Sequence, residues 1–302
     1  MNARLTRRFL LRKHLAAGCA LLGPARGMAA GYRPVFAMEA YVWTQVFARQ
    51  KRTLDEGMDE MFRSSRGAGF RLIGLGTDCA LPELREKTVR LLKKYQMAAA
   101  TLYAAGPMYE RSLAEATLAE CLKVAEAAPA MGTVWIMTNP RPKPQRAAKS
   151  DAELAVQADY VNRFGEALRQ RGLRLVLHHH NPEMAGNARE FRHLLEHTDP
   201  ALASICVDYD WAVRGGQDPM AIVRAAGSRL SMVHLRNASR GVWTESLGEG
   251  DYDYSVLAGY LKQIGFQGHL VVELAYEEGT RITRPLAEDL RLSRVFAEKT
   301  FR

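Results

Sequence analysis

The sequence predicts an α/β protein, a single-domain (β/α)8 TIM barrel over residues 31–302. Three observations point there. Strand-like and helix-like segments alternate in strict order from residue 35 to residue 298, which argues a parallel sheet with right-handed crossovers. Four apolar runs in the second half do not alternate with polar residues, and each ends in a residue able to ligate a metal: Leu173–Leu177 before His178, Ile205–Val207 before Asp208, Leu230–Val233 before His234, and His269–Val272 before Glu273. Such runs suit strands buried on both faces, and a closed barrel gathers all strand C-termini on one rim. Finally, no G-x-G-x-x-G follows the first strand and no P-loop is present, which counts against an open nucleotide-binding sheet.

The elements follow in order. Strand 1 starts at Val35 and is expected to run to Trp43. Thr53 to Ser65 reads as a helix, with Thr53 and Glu56 spaced as a capping box. Strand 2 is Phe70–Leu75, and Pro82 opens the first turn of a helix over Leu81–Tyr95. Strand 3 is Met97–Tyr103, followed by a helix over Leu113–Ala127 with Ser112 and Glu115 as a second box. Strand 4 is Thr133–Met137. The proline-rich Asn139–Pro144 fits no regular element, and since the alternation resumes unchanged it reads as a rim loop. A helix over Asp151–Arg171 leads to the four diagnostic strands, separated by helices at Ala188–Glu196, Pro219–Ala226 and Tyr254–Ile264. A last helix, Leu286–Glu298, closes the barrel.

The formal charge of +9 does not indicate a nucleic-acid binder. Residues 1–30 hold six basic and no acidic residues, leaving 36 basic against 33 acidic residues with no one-sided run. That basic start, an apolar stretch over Leu15–Gly23 and the small residues Gly27–Gly31 come in the order of an export signal. Thr6-Arg-Arg-Phe-Leu-Leu-Arg12 resembles the twin-arginine consensus, so a periplasmic or secreted protein is expected, with no stable membrane insertion once the signal is removed. Past Cys19, the widely spaced Cys79, Cys121 and Cys206 form neither a disulfide framework nor a C-x-x-C site.

His178, Asp208, His234 and Glu273 therefore converge on one rim as two imidazoles and two carboxylates. This mixed N/O set suits one divalent ion such as Mn, Co, Zn or Fe. Taken alone, Asp208 could instead cap a helix and His234 could be a satisfied core histidine. In the run His178–His180, alternate residues share a face, so His178 is read as a ligand, His180 as a group that binds substrate and carries a proton, and His179 as pointing away. Glu183 is either an orienting partner or a surface charge. Trp43, Tyr103, Trp135 and Trp211 lie near expected strand ends, where they stack on a sugar ring or pack in the core.

These segments, in order, resemble a known family. Leu177-His-His-His-Asn-Pro-Glu183 is similar to the Y-H-N-H-D-F-E motif of one branch of the sugar phosphate isomerase/epimerase family, the xylose isomerase-like TIM barrels. Val233-His-Leu-Arg-Asn237 resembles V-H-L-K-D, and Gly248-Glu-Gly250 with Gly265–Gly268 and Val272-Glu273 resembles the family's closing motifs. The resemblance implies one divalent metal held by His178, Asp208, His234 and Glu273, with Glu273 also serving as base and Arg240 contacting substrate oxygens. The departures are His178 where many members carry Glu, Trp211 for His, Asn237 for Asp and Gly74 for Glu. The implied activity is a metal-dependent isomerase or epimerase acting through an enediolate on a non-phosphorylated sugar or keto sugar. Alternatives are a metal-dependent lyase or dehydratase on 3-keto sugars or glycosides, and a non-catalytic sugar-binding barrel. The expected partner is a small carbohydrate; nucleic acid is not expected.

Overall fold

A computed structural model describes residues 31–302. The export segment expected over residues 1–30 lies outside them. The strands are β1 (Val35–Glu39), β2 (Leu72–Leu75), β3 (Ala98–Tyr103), β4 (Trp135–Thr138), β5 (Arg174–Leu177), β6 (Ala203–Asp208), β7 (Leu230–Leu235), a hairpin of β8 (Ala238–Ser239) and β9 (Val242–Trp243), and β10 (His269–Val272). Apart from the hairpin, they close into a parallel barrel in the order β1-β10-β7-β6-β5-β4-β3-β2.

Side-chain parity decides which residues enter the barrel. In β10, Leu270 and Val272 pack outward against the helices, whereas Val271 points inward with Ala37 and Ala100. In β6 and β7, Cys206 and Met232 point inward with Met137 and Val176, while Val207, Val233 and Leu235 face the helices. Strand residues alternate sides, so the residue two places after each inward one also faces the barrel axis, at the C-terminal rim. Ala37 thus predicts Glu39, Val176 predicts His178, Cys206 predicts Asp208, Met232 predicts His234, and Val271 predicts Glu273.

The outer layer comprises α1 (Tyr41–Arg49), α2 (Leu54–Gly67), α3 (Pro82–Lys94), α4 (Arg111–Ala125), α5 (Asp151–Arg169), α6 (Asn181–His197), α7 (Tyr209–Arg214), α8 (Pro219–Ala226), α9 (Ser255–Gln263) and α10 (Leu286–Phe301). The capping box of Thr53 and Glu56 forms at the start of α2. Met58, Met61 and Phe62 of that helix are fully buried, each contributing roughly 1.5–3 kcal/mol by leaving water. Gly57 lets α2 approach α1, since a Cβ there would lie 2.3 Å from the Phe47 ring. Cys79, Cys121 and Cys206 are buried and unpaired with one another.

Three expectations are corrected. Strand 1 does not reach Trp43: it ends at Glu39, and the chain turns at once into α1. The apolar Val42, Trp43 and Val46 look strand-like in sequence, but at helical spacing they bury one face of α1. The Ser112–Glu115 box does not form, because α4 begins at Arg111 behind Glu110 without a side-chain cap, and Glu115 instead accepts a bond from the Tyr160 hydroxyl at 2.8 Å. The helix expected from Ala188 begins earlier, at Asn181, and breaks across Ala185–Ala188, where Gly186, Asn187 and Ala188 are left-handed.

Candidate active site

The C-terminal rim holds a cavity of about 450 Å³. Glu39, His178, His180, His234, Arg236 and Glu273 line it with polar atoms, and Tyr103, Trp211 and Trp243 supply aromatic walls. His178, Asp208, His234 and Glu273 come together there. One ligand atom from each lies within 4.8 Å of the others, and all four are buried. Strand register makes this possible: Asp208 sits opposite His234, and Glu273 follows Val272, which is opposite Leu235.

His234 Nδ1 lies 2.6 Å from Glu273 Oε2, while its Nε2 is buried with no hydrogen-bond partner among the described residues. His178 Nδ1 is likewise buried and unpartnered. Two unsatisfied imidazole nitrogens beside two carboxylates fit a divalent cation, because buried polar atoms otherwise find partners. The cluster can therefore bind a metal.

Arg236 shares the cluster, and the sequence reading missed it. Its Nη2 donates to Asp208 Oδ2 at 3.0 Å and forms an ion pair with Glu273 Oε2 at 2.8 Å. Its guanidinium lies 5.4 Å from the Trp211 ring centre and 4.8 Å from that of Trp243. The signal was present in sequence: Arg236 is two residues past His234 and so shares its inward face. Glu39 was missed too. Met38 pairs with Val272, so Glu39 and Glu273 follow as neighbours at the rim, and Glu39 Oε1 lies 3.9 Å from His234 Nε2.

The carboxylates differ in proton affinity. Burial pushes Glu39 up to about 7, aided by the charge of Glu273 and opposed by His234. Burial works against ionised Glu273 as well, but Arg236 and then His234 hold it well below the usual range. Burial raises Asp208 to about 8 against the pull of Arg236. Arg236 and His234 thus draw Glu273 toward its ionised form, while burial draws Asp208 toward its protonated form. Asp208 also caps α7, Oδ1 accepting from Trp211 N at 2.8 Å, so the helix-cap alternative and the site role coexist in one side chain.

His180 lines the cavity, and burial lowers it to about 4, so it is neutral near pH 7. Its Nδ1 lies 3.0 Å from Asn139 Nδ2. Glu183 is buried rather than a surface charge; its Oε2 accepts from the His180 backbone N–H at 3.0 Å. His179 turns away, and its Nε2 accepts from the Asp208 backbone N–H at 3.1 Å. Asn237 is fully engaged with Gly248, Ala238 and Tyr252 and shapes the following loop.

Two residues expected to bind substrate lie outside the cavity lining. Trp43 is 2% exposed and packs on Phe47 in the core, because α1 rather than a strand carries it. Arg240 is an exposed residue of the β8–β9 turn, with its backbone N–H on Asp251 Oδ1, and it does not line the cavity. Trp211 does line it, with its ring centre 5.5 Å from that of His180. Trp135 begins β4, at the opposite barrel mouth, beneath Arg174.

Comparison with known proteins agrees with this architecture. An inosose dehydratase of Clostridium perfringens is 24% identical over 170 residues, covering 50% of this chain and 56% of that protein. That of Clostridium tetani is 25% identical over 158 residues, covering 46% and 52%. The chain thus spans about half the length of these curated relatives. Among solved structures, a D-allulose 3-epimerase from Methylomonas sp. superposes with a TM-score of 0.70 at 18% identity, covering 89% of this chain and 98% of that one. A D-psicose 3-epimerase from Clostridium cellulolyticum H10 gives 0.68 at 11%, covering 89% and 99%. At such identities these structures share the fold. The family described as "Xylose isomerase-like TIM barrel" matches residues 62–295, and the chain belongs to that family.

Proposed function

We propose that this chain is a divalent-cation-dependent enzyme that removes a proton beside the carbonyl of a small, non-phosphorylated keto sugar or keto polyol, and that the outcome is loss of water. The observation that carries this reading is the Glu39–Glu273 pair: neighbours at the rim, one held protonated up to about pH 7 and the other ionised. Carboxyl groups pushed apart in this way divide into acid and base. Glu273 takes the proton from carbon, and Glu39 protonates the departing hydroxyl. A divalent ion held by His178, Asp208, His234 and Glu273 would supply Lewis-acid polarisation of the carbonyl. His180 hydrogen-bonds a substrate oxygen, and Trp211, Trp243 and Tyr103 cover the apolar face of the ring. Arg236, the cationic side chain of the cavity, is committed to two carboxylates, which disfavours a phosphorylated substrate. A purely sugar-binding barrel has no use for so many buried, perturbed titratable groups.

The names of the curated relatives support dehydration of a cyclic keto polyol. Isomerisation or epimerisation is the second reading, favoured by the same carboxyl pair, which can exchange protons at one carbon, and by the epimerase titles of the structural neighbours. The order of charge, apolar run and small residues over residues 1–30 supports export as part of this reading. Incubation with inososes and keto hexoses in D2O, with Mn2+, Co2+ or Zn2+ present, separates these outcomes by NMR and mass spectrometry. A product lighter by one water supports the dehydratase; deuterium at carbon with unchanged formula supports the isomerase or epimerase. Neither product with any ion would sink both.

A further inference from the structure

We infer that Asn139, just past β4, is a positioning residue that fixes His180 as its Nε2–H tautomer, so that His180 offers a substrate oxygen a hydrogen-bond donor rather than a base. Asn139 is 3% exposed and touches three polar partners. Its Oδ1 meets the Tyr103 hydroxyl. Its Nδ2 reaches His180 Nδ1 at 3.0 Å and Glu183 Oε1 at 3.3 Å. An amide nitrogen carries two hydrogens and accepts none, so the two contacts use both hydrogens and His180 Nδ1 must be the acceptor. The ring proton then sits on Nε2, which has no partner among the described residues.

Amide orientation is the crux, since oxygen and nitrogen have nearly the same shape. The Glu183 carboxylate decides it. Its Oε2 is occupied by the His180 backbone N–H at 3.0 Å, while Oε1 faces the amide. Turning the amide over would set its oxygen against that carboxylate in its ionised form, which burial opposes and the backbone N–H groups and Asn139 favour. The Tyr103 hydroxyl, able to donate or accept, donates to Oδ1 in this orientation. One chain of contacts from β3 through β4 to the start of α6 thereby sets which nitrogen of His180 bears hydrogen. A neutral imidazole does not release that proton near pH 7, so His180 binds and polarises an oxygen, and proton transfer falls to the carboxyl groups.

The tautomer stands independently of the proposed reaction; only the role of Nε2–H toward substrate rests on it. The test is 15N NMR of the full chain with labelled histidine, His180 being assigned by its loss in His180→Gln. Spectra are recorded after chelator treatment and again with Zn2+, which is diamagnetic. The expected result is a pyridine-type Nδ1 and a pyrrole-type Nε2 for His180. In Asn139→Asp the new carboxylate accepts from Nδ1, and the two types should exchange. That variant should also lose kcat by more than it raises KM on any substrate the enzyme turns over. A pyrrole-type Nδ1 in the wild type, averaged nitrogens, or an unchanged pattern in a folded Asn139→Asp overturns the inference. If that variant does not fold, the wild-type spectrum alone decides, and a clean tautomer with no turnover would count against the proposed reaction only.

Discussion

Gly74 lies opposite Glu39 across the β1–β2 pair, and the Glu39 carboxylate fills the space a side chain at Gly74 would take. A Cβ built there would fall 1.8 Å from Glu39 Oε1 and 2.3 Å from its Cδ. The family-like glutamate absent from β2 thus coincides with a glutamate entering from β1. Gly74→Ala must displace Glu39. The expected cost is about 1–3 kcal/mol in stability with turnover lower by roughly 100-fold, since misplacing a reacting group by about an ångström has that effect. Unfolding curves and steady-state rates check it; unchanged turnover would remove Glu39 from the mechanism.

Arg236 neutralises Asp208 and Glu273 from a position only 3% exposed. Arg236→Met leaves two buried carboxyl groups without their cation, a loss of about 3–5 kcal/mol. A divalent ion should restore much of it by taking over the same oxygens. Melting temperature with and without Mn2+ measures both effects, and the rise on adding Mn2+ should be larger in the variant than in the wild type.

Glu39 also gives stability a pH signature. Its folded pKa is raised from 4.5 to about 7. The folded state therefore holds a proton that the unfolded state has released between those values. The stabilisation is complete below about pH 4.5 and is lost as pH rises through about 7, on the order of 3 kcal/mol in all. Glu39→Gln lacks this loss. In chelator-treated protein, the advantage of the variant over the wild type should grow from pH 4.5 to 7 and then level off. A constant difference across that window contradicts the burial-driven shift.

Arg240 supplies a contrast. Its backbone N–H rests on Asp251 and the residue is exposed outside the cavity. Arg240→Ala should change kcat/KM by no more than about twofold, as surface changes usually do. A large rise in KM would place this side chain on the substrate after all.

The barrel was legible because its strands are unmixed apolar runs, and the four convergent residues because each ends such a run. Glu39 ends one as well, after Val35–Met38, but the apolar Val42 and Trp43 extended the apparent strand past it. No side chain caps α1, since its N-cap is Ala40, so the sequence offered no stop signal. Arg236 was hidden by the rule that a charged residue belongs at the surface, which fails where two buried carboxylates receive it. Arg240 was implied by the family resemblance, and the tight β8–β9 turn carries its side chain outside the cavity lining. In the left-handed run Gly186–Ala188, Gly186 and Asn187 were local cues and Ala188 gave none.

Metal analysis tests the convergence of His178, Asp208, His234 and Glu273 most directly. After equilibration with Mn2+, Co2+ or Zn2+ and dialysis, one ion per chain is expected in the wild type. The double variant His178→Ala, His234→Ala, verified as folded, should bind it roughly 100-fold more weakly or worse, given that even a ligand's hydrogen-bonding partner is worth about 10–100-fold. No bound ion in the wild type, or equal stoichiometry and affinity in the variant, would contradict a metal centre at this rim.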